Sequence, residues 1–190
     1  MDTYKIIKFF LKPIFKILYR PTVLNIENIP NENAFIFAGN HKNAFDPLLI
    51  ALSTKRTVRF FAKKELLEGK ARLFFKALKA IPVDRTTKNQ EATDTAIEIL
   101  KNGEIISLFP EGTRNKTNNI LLPFKFGAVS MAKKTNTPIV PFAITGDYKL
   151  FHKNIKIEFG KPIYIGDMEL PQANEYLMKT VEDLIKKNIK

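Results

Sequence analysis

The stretch Ala34-Phe35-Ile36-Phe37-Ala38-Gly39-Asn40-His41-Lys42-Asn43-Ala44-Phe45-Asp46-Pro47-Leu48-Leu49-Ile50-Ala51-Leu52 joins an apolar run, a polar turn and a second apolar run. Five apolar residues closed by Gly39 read as a buried strand. Asp46-Pro47 reads as a helix start, because Asp is a favoured N-cap and Pro is preorganised for the first helical position. Between them stand a histidine and a carboxylate separated by four residues. On a continuous helix five steps of about 100° would leave His41 and Asp46 about 140° apart. They meet more easily if residues 40–46 form a loop, and the pair then reads as a base and its orienter. The structural alternative is that Asp46 only caps a helix and His41 only bonds to backbone. A double role for Asp46, capping the helix at Pro47 while facing His41, is the expectation.

Outward from this stretch, strands and helices alternate. Strands are expected at 58–62, 105–109, 138–144 and 155–159, with a short edge strand at 81–83 where Pro82 is tolerated. Helices are expected at 47–53, at 65–79 with an interruption at Gly69, and at 90–101, where Asn102-Gly103 stops the pattern. Further helices are expected at 125–134, whose small residues allow close packing, and at 172–188 with Leu177, Val181, Leu184 and Ile185 on one face. This alternation predicts an α/β fold, a single domain with a mixed, largely parallel sheet flanked by helices. No repeat or linker divides residues 23–190.

Residues 1–22 form a separate expectation. Lys5, Lys8, Lys12, Lys16 and Arg20 fall within an arc of about 120° on a helix, and large apolar residues fill most of the rest. Such a helix suits a membrane interface, with the cations drawn to an anionic leaflet and Phe9, Phe10 and Phe15 inserting. A core-packing helix with a solvated lysine face and a basic arm for nucleic acid are the alternatives. The width of the apolar arc favours the interface. Pro13 is expected to kink the helix or divide it in two.

The chain carries 31 Lys plus Arg against 19 Asp plus Glu, a net charge of +12, which favours polyanionic partners. With no cysteine among its 190 residues, disulfides and thiol chemistry are excluded. No run approaches the 18 or so apolar residues that a spanning helix needs. Two histidines, His41 and His152, make a metal-dependent hydrolase built on His41, Asp46 and Glu111 a poor fit. His152 reads as a surface loop residue.

Three loops follow expected strands, where α/β sheets place ligands: residues 41–46, 84–88 and 111–115. In the third, Arg114 offers a planar fork for phosphate, Gly112 allows close backbone approach and Thr113 adds a hydroxyl. A local pairing of Glu111 with Arg114 in a simple turn is the alternative. Arg85 and Lys125 are further candidate cations.

Asn40-His41 followed by four residues and Asp46, together with Phe109-Pro110-Glu111-Gly112-Thr113-Arg114, resembles the signature blocks of the glycerolipid acyltransferases. The resemblance is specifically to the 1-acyl-sn-glycerol-3-phosphate acyltransferases of the lysophospholipid acyltransferase superfamily. Ile81-Pro82-Val83-Asp84-Arg85, Phe124-Lys125-Phe126-Gly127-Ala128 and Ile139-Val140-Pro141-Phe142-Ala143-Ile144 resemble further blocks in the same order. Where family members often carry Ser two residues after the histidine, this chain has Asn43. The chain is also short for the family and lacks long hydrophobic extensions.

The resemblance implies His41 as general base and Asp46 as its orienter. It implies an acceptor-phosphate site at Arg85, Glu111, Gly112, Thr113 and Arg114, with Asn40 and Lys125 as possible additions. Acyl-CoA or acyl-carrier protein would be the acyl donor and the sn-2 hydroxyl of lysophosphatidic acid the acceptor, with another lysophospholipid or a glycerol phosphate as the alternative acceptor, and with no metal or cofactor. The partners expected are an anionic membrane surface and these substrates, with no nucleic acid, and the location a peripheral one on the cytoplasmic face of the membrane. The chemistry agrees, since a hydroxyl is a poor nucleophile until a base working near neutral pH removes its proton. A non-catalytic basic binder would leave the three loops unexplained.

Overall fold

Residues 36–39 are all buried and form the centre of the architecture. The structure, a computed structural model, describes residues 2–69, 72–84 and 90–189. In chain order they form α1 (Thr3–Tyr19), β1 (Thr22–Leu24), β2 (Ile36–Gly39), α2 (Asp46–Ser53), β3 (Val58–Lys63), α3 (Lys64–Glu68) and α4 (Arg72–Ala77). Then follow β4 (Ile81–Val83), α5 (Gln90–Lys101), β5 (Ile105–Leu108), α6 (Gly127–Thr135), β6 (Ile139–Thr145), β7 (Lys156–Phe159) and α7 (Leu170–Ile189). The seven strands lie in the order β1-β7-β6-β2-β5-β3-β4. All neighbours are parallel except β6 and β7. This is the mixed, largely parallel sheet that the alternation predicts, with β4 and its Pro82 at one edge.

Alternate residues of the strands feed two cores. On one face Ile36, Ala38, Ile106 and Ile139 pack against α5, α6 and α7, through Ala96, Val129 and Leu177 among others. On the other, Phe35, Phe37, Ile105 and Phe142 meet Leu49 and Ile50 of α2 and Phe15 of α1. The sheet is thus buried on both faces, as parallel sheets usually are. At Gly39 a Cβ would stand 2.1 Å from the backbone oxygen of Phe142. Only glycine fits there, and β2 and β6 meet closely beneath the turn that leads to His41.

Three expectations are corrected and one strand was unforeseen. Pro13 lies inside one continuous helix rather than dividing it. Its missing N–H falls on an exposed stretch, and burial of Tyr4 and Phe15 on either side holds the helix to the body. Phe15 therefore faces the protein core and not a lipid phase. Lys8 also turns inward, donating from Nζ to the backbone oxygen of Arg56 at 3.1 Å, and burial lowers its pKa to about 8. Finally, β1 has no counterpart among the expected strands. Among the described residues no helix is long and apolar enough to cross a membrane.

Candidate active site

Parallel strands β2, β5 and β4 all end at one edge of the sheet, so the loops after Gly39 and Leu108 open there, on the same side as the end of β4. His41 leaves β2 in the first loop. Its Nδ1 lies 2.9 Å from Oδ2 of Asp46. The same oxygen accepts the backbone N–H of Lys42 and of Asn43, each at 2.7 Å. Oδ1 accepts the hydroxyl of Tyr148 at 2.7 Å. A carboxylate that accepts on both oxygens orients the ring so that Nδ1 carries its hydrogen and Nε2 keeps a free lone pair. The ring also stacks on Phe109 with centroids 3.9 Å apart and planes within 14°.

Asp46 does not cap its own helix. It is the first residue of α2, no side chain caps that helix, and its carboxylate points back to the loop it closes. The double role expected of it is replaced by one, that of a hub for residues 41–43. Asn43 tightens the turn ahead of the helix, its Oδ1 accepting the N–H of Phe45 at 3.1 Å.

Glu111 is buried, and its two oxygens accept the N–H of His41 and of Leu122, each at 2.8 Å. Burial raises its pKa against the lowering effect of those bonds. The expectation that it contacts phosphate does not fit this placement, since both oxygens are taken and a carboxylate repels an anion. Asn40 is likewise used internally. Its amide donates to the oxygen of Ile144 at 2.9 Å and accepts the N–H of the same residue at 2.7 Å. These two side chains fix where His41 sits.

The remaining candidates border open space. His41 lines two cavities, of about 510 and 670 Å³, which also share Pro47 and residues 60–63. Gly112 and Lys125 line the first. Gly112 has φ +70°, and a Cβ there would stand 2.9 Å from Nζ of Lys125. Thr113, Arg114 and Lys116 line the second. Among the described residues Arg114 forms no ion pair with Glu111 or any other carboxylate. Apolar side chains line both cavities as well, Val83, Ala92 and Met131 in the first and Leu66, Phe75 and Leu78 in the second. Arg85 lies outside the described residues. Among them no group of three or more His, Asp or Glu is placed to hold a metal ion.

The Acyltransferase family profile matches residues 20–145, a span that holds all of these loops. The chain belongs to the acyltransferase family. It is an O-acyltransferase, and phospholipid biosynthesis is its field of chemistry. A 1-acyl-sn-glycerol-3-phosphate acyltransferase of Bacillus subtilis (strain 168) is 33% identical over 187 residues, covering 95% of this chain and 92% of the relative. One from Borreliella burgdorferi is 31% identical over 173 residues, covering 88% and 69%. The crystal structure of the 1-acyl-sn-glycerophosphate acyltransferase PlsC from Thermotoga maritima superposes with a TM-score of 0.80 at 27% identity, covering 97% of this chain and 78% of that one. The family region of this acyltransferase ends at Thr145, so Tyr148 lies just past it. Sequence reasoning missed Tyr148 because it sits 102 positions from Asp46, with no spacing to betray the pair.

Proposed function

We propose that this acyltransferase moves a fatty acyl group from an acyl thioester to the sn-2 hydroxyl of lysophosphatidic acid, giving phosphatidic acid. The observation that carries the reading is the His41–Asp46 pair beside two cavities, both lined by His41 and by cationic and apolar side chains together. The relatives are named for the same acceptor. The donor is acyl-CoA or acyl-carrier protein, and no cofactor takes part.

In this mechanism Nε2 of His41 takes the proton of the acceptor hydroxyl as its oxygen attacks the thioester carbonyl. The ester C–O bond forms, the C–S bond breaks, and the imidazolium returns its proton to the departing thiolate. Asp46 holds the tautomer and stabilises the imidazolium. Arg114, Lys125, Thr113 and the backbone at Gly112 bind the acceptor phosphate, and Arg85 belongs to the same site by family resemblance. Glu111 and Asn40 serve as braces for the His41 loop.

Residues 1–22 form the membrane-binding segment, on the cytoplasmic face. Phe9 and Phe10, 73% and 63% exposed, give its apolar contact together with Ile14 and Ile17. Lys5, Lys12, Lys16 and Arg20 lie along one side of that contact and meet anionic headgroups.

Purified protein given liposomes, lysophosphatidic acid and each donor in turn tests the reading. Wild type forms phosphatidic acid, and His41→Ala loses at least about 100-fold in kcat, the usual span for a general base. Arg114→Ala raises KM for the acceptor about tenfold or more, as expected for a charged hydrogen bond. Full activity in His41→Ala, or no product from wild type with either donor, refutes it.

A further inference from the structure

Between β6 and β7 the chain makes a short excursion at residues 146–155. Its tip is a turn closed by the N–H of His152 on the oxygen of Lys149 at 3.3 Å. The turn shows Leu150 and Phe151 to solvent, 53% and 59% exposed. Phe151 adopts φ +63°, a region that bulky residues rarely enter. Its own N–H accounts for the conformation. It donates to the oxygen of Leu18 at 2.5 Å, one of the carbonyls that the last turn of α1 leaves without a helical partner.

That bond sets the excursion beside the exposed apolar arc of α1. At about 100° per residue Leu18 lies about 40° from Ile14, the border of the arc formed with Phe9, Phe10 and Ile17. Lys5, Lys12, Lys16 and Arg20 flank the other border. Lys149 and Lys153 flank Leu150 and Phe151, with Asp147 as the only acidic residue nearby in the loop. At its root the loop is fastened again, through Tyr148. That ring packs on Tyr19 and Phe45, with centroids 5.6 and 5.8 Å away, and its hydroxyl reaches Asp46.

We infer that the loop Lys149–Lys153 is a second lipid-docking element, one that inserts Leu150 and Phe151 into an anionic bilayer alongside α1. The inference rests on the membrane reading of α1 given above. An aliphatic and an aromatic side chain set between two lysines suit the interface of such a bilayer, where the chains leave water and the ammonium groups meet headgroups. A protein partner has no comparable claim, because the flanking charge and the acceptor of the reaction both point to phospholipid.

The chain has no tryptophan, so Phe151→Trp and Phe10→Trp each place a single fluorophore. The probe is vesicles of phosphatidylglycerol and phosphatidylcholine with brominated acyl chains, set against unbrominated ones. Fluorescence of both variants is expected to be quenched by the brominated lipid, less so when phosphatidylglycerol is left out. Quenching in Phe10→Trp with none in Phe151→Trp overturns the loop proposal and leaves the helix reading standing. Quenching in neither variant overturns both. An emission shift in Phe151→Trp that grows with protein concentration and needs no vesicles assigns the loop to a second copy of the chain, and also overturns the proposal. As a second measurement, Leu150→Ser/Phe151→Ser is expected to lower vesicle partitioning several-fold, with an unchanged melting temperature and unchanged turnover of a monomeric short-chain acceptor. Unchanged partitioning overturns the proposal.

Discussion

Asp46 is 0% exposed and answers to donors from residues 41, 42, 43 and 148. Three of these belong to the loop it closes. The fourth, the Tyr148 hydroxyl, is the only one among the described residues on Oδ1, and it sets the rotation of the carboxylate and hence which oxygen faces His41. Burial, followed by the negative charge of Asp46, raises the Tyr148 pKa far above its ordinary value, so the phenol remains a donor at any working pH. Tyr148→Phe is expected to lower kcat about tenfold, the worth of one hydrogen bond to a charged group. KM for both substrates should stay within about twofold. A matching loss in KM would mean the whole loop had moved.

Glu111 allows a companion test at the same scale. Glutamine keeps its shape but one of its two groups cannot accept, so Glu111→Gln orphans the N–H of His41 or of Leu122. The expected cost is about 1–3 kcal/mol in chemical unfolding, with kcat falling because the His41 loop loses its tether. His41 and the His-x4-Asp spacing were legible in the sequence because the chemistry restricts residue types locally. The bracing parts of Glu111 and Asn40 were not, because a turn glutamate reads the same whether it points outward or into the protein.

At the scale of elements, the sequence pattern located the strands that are long enough to show it. Ile105–Leu108 and Ile139–Thr145 are buried throughout or nearly so, which leaves little room for another reading. Thr22–Leu24 was missed because three half-buried residues carry no period, and their register is set by Lys156–Glu158, more than 130 positions later. Helix α1 was legible as amphipathic but not in its orientation. Five cations on one arc suggest a uniform polar face, yet Lys8 is drawn inward beside Tyr4, whose ring lies 5.6 Å from its Nζ.

The Lys8 pKa near 8 has a definite sign. The unfolded lysine titrates near 10.4, so between about pH 8 and 10.5 the unfolded chain holds the extra proton and stability contributed at this site rises with pH. Lys8→Met removes the cost of a desolvated charge. It should raise the melting temperature at pH 7, and the gain should shrink between about pH 8 and 10.5. A gain that is constant across that range would place Lys8 in water.

For the molecule as a whole, the net charge of +12 belongs to an acyltransferase of phospholipid biosynthesis. Long-range attraction to an anionic bilayer is screened as the Debye length falls from about 10 Å at 0.1 M salt to about 3 Å at 1 M. The apolar contact proposed for α1 would not be screened. Binding to vesicles rich in phosphatidylglycerol should therefore weaken several-fold between about 0.1 and 1 M salt without vanishing. Deleting residues 1–20 should remove most of what remains at high salt. Binding that salt abolishes completely would make the protein a purely electrostatic visitor.

The excursion after β6 carries Tyr148 on Asp46 at one end and Phe151 on the last turn of α1 at the other. Helix ends are where native proteins open first and most often. The order of the dyad is thus tied to one of the least protected places in the fold. On warming, fraying of α1 should release the carboxylate before the seven-stranded sheet lets go, so activity in solution should fade at temperatures where the secondary structure is still intact. A bilayer that clamps α1 would close that gap, giving the membrane a role as a thermal stabiliser of the catalytic geometry.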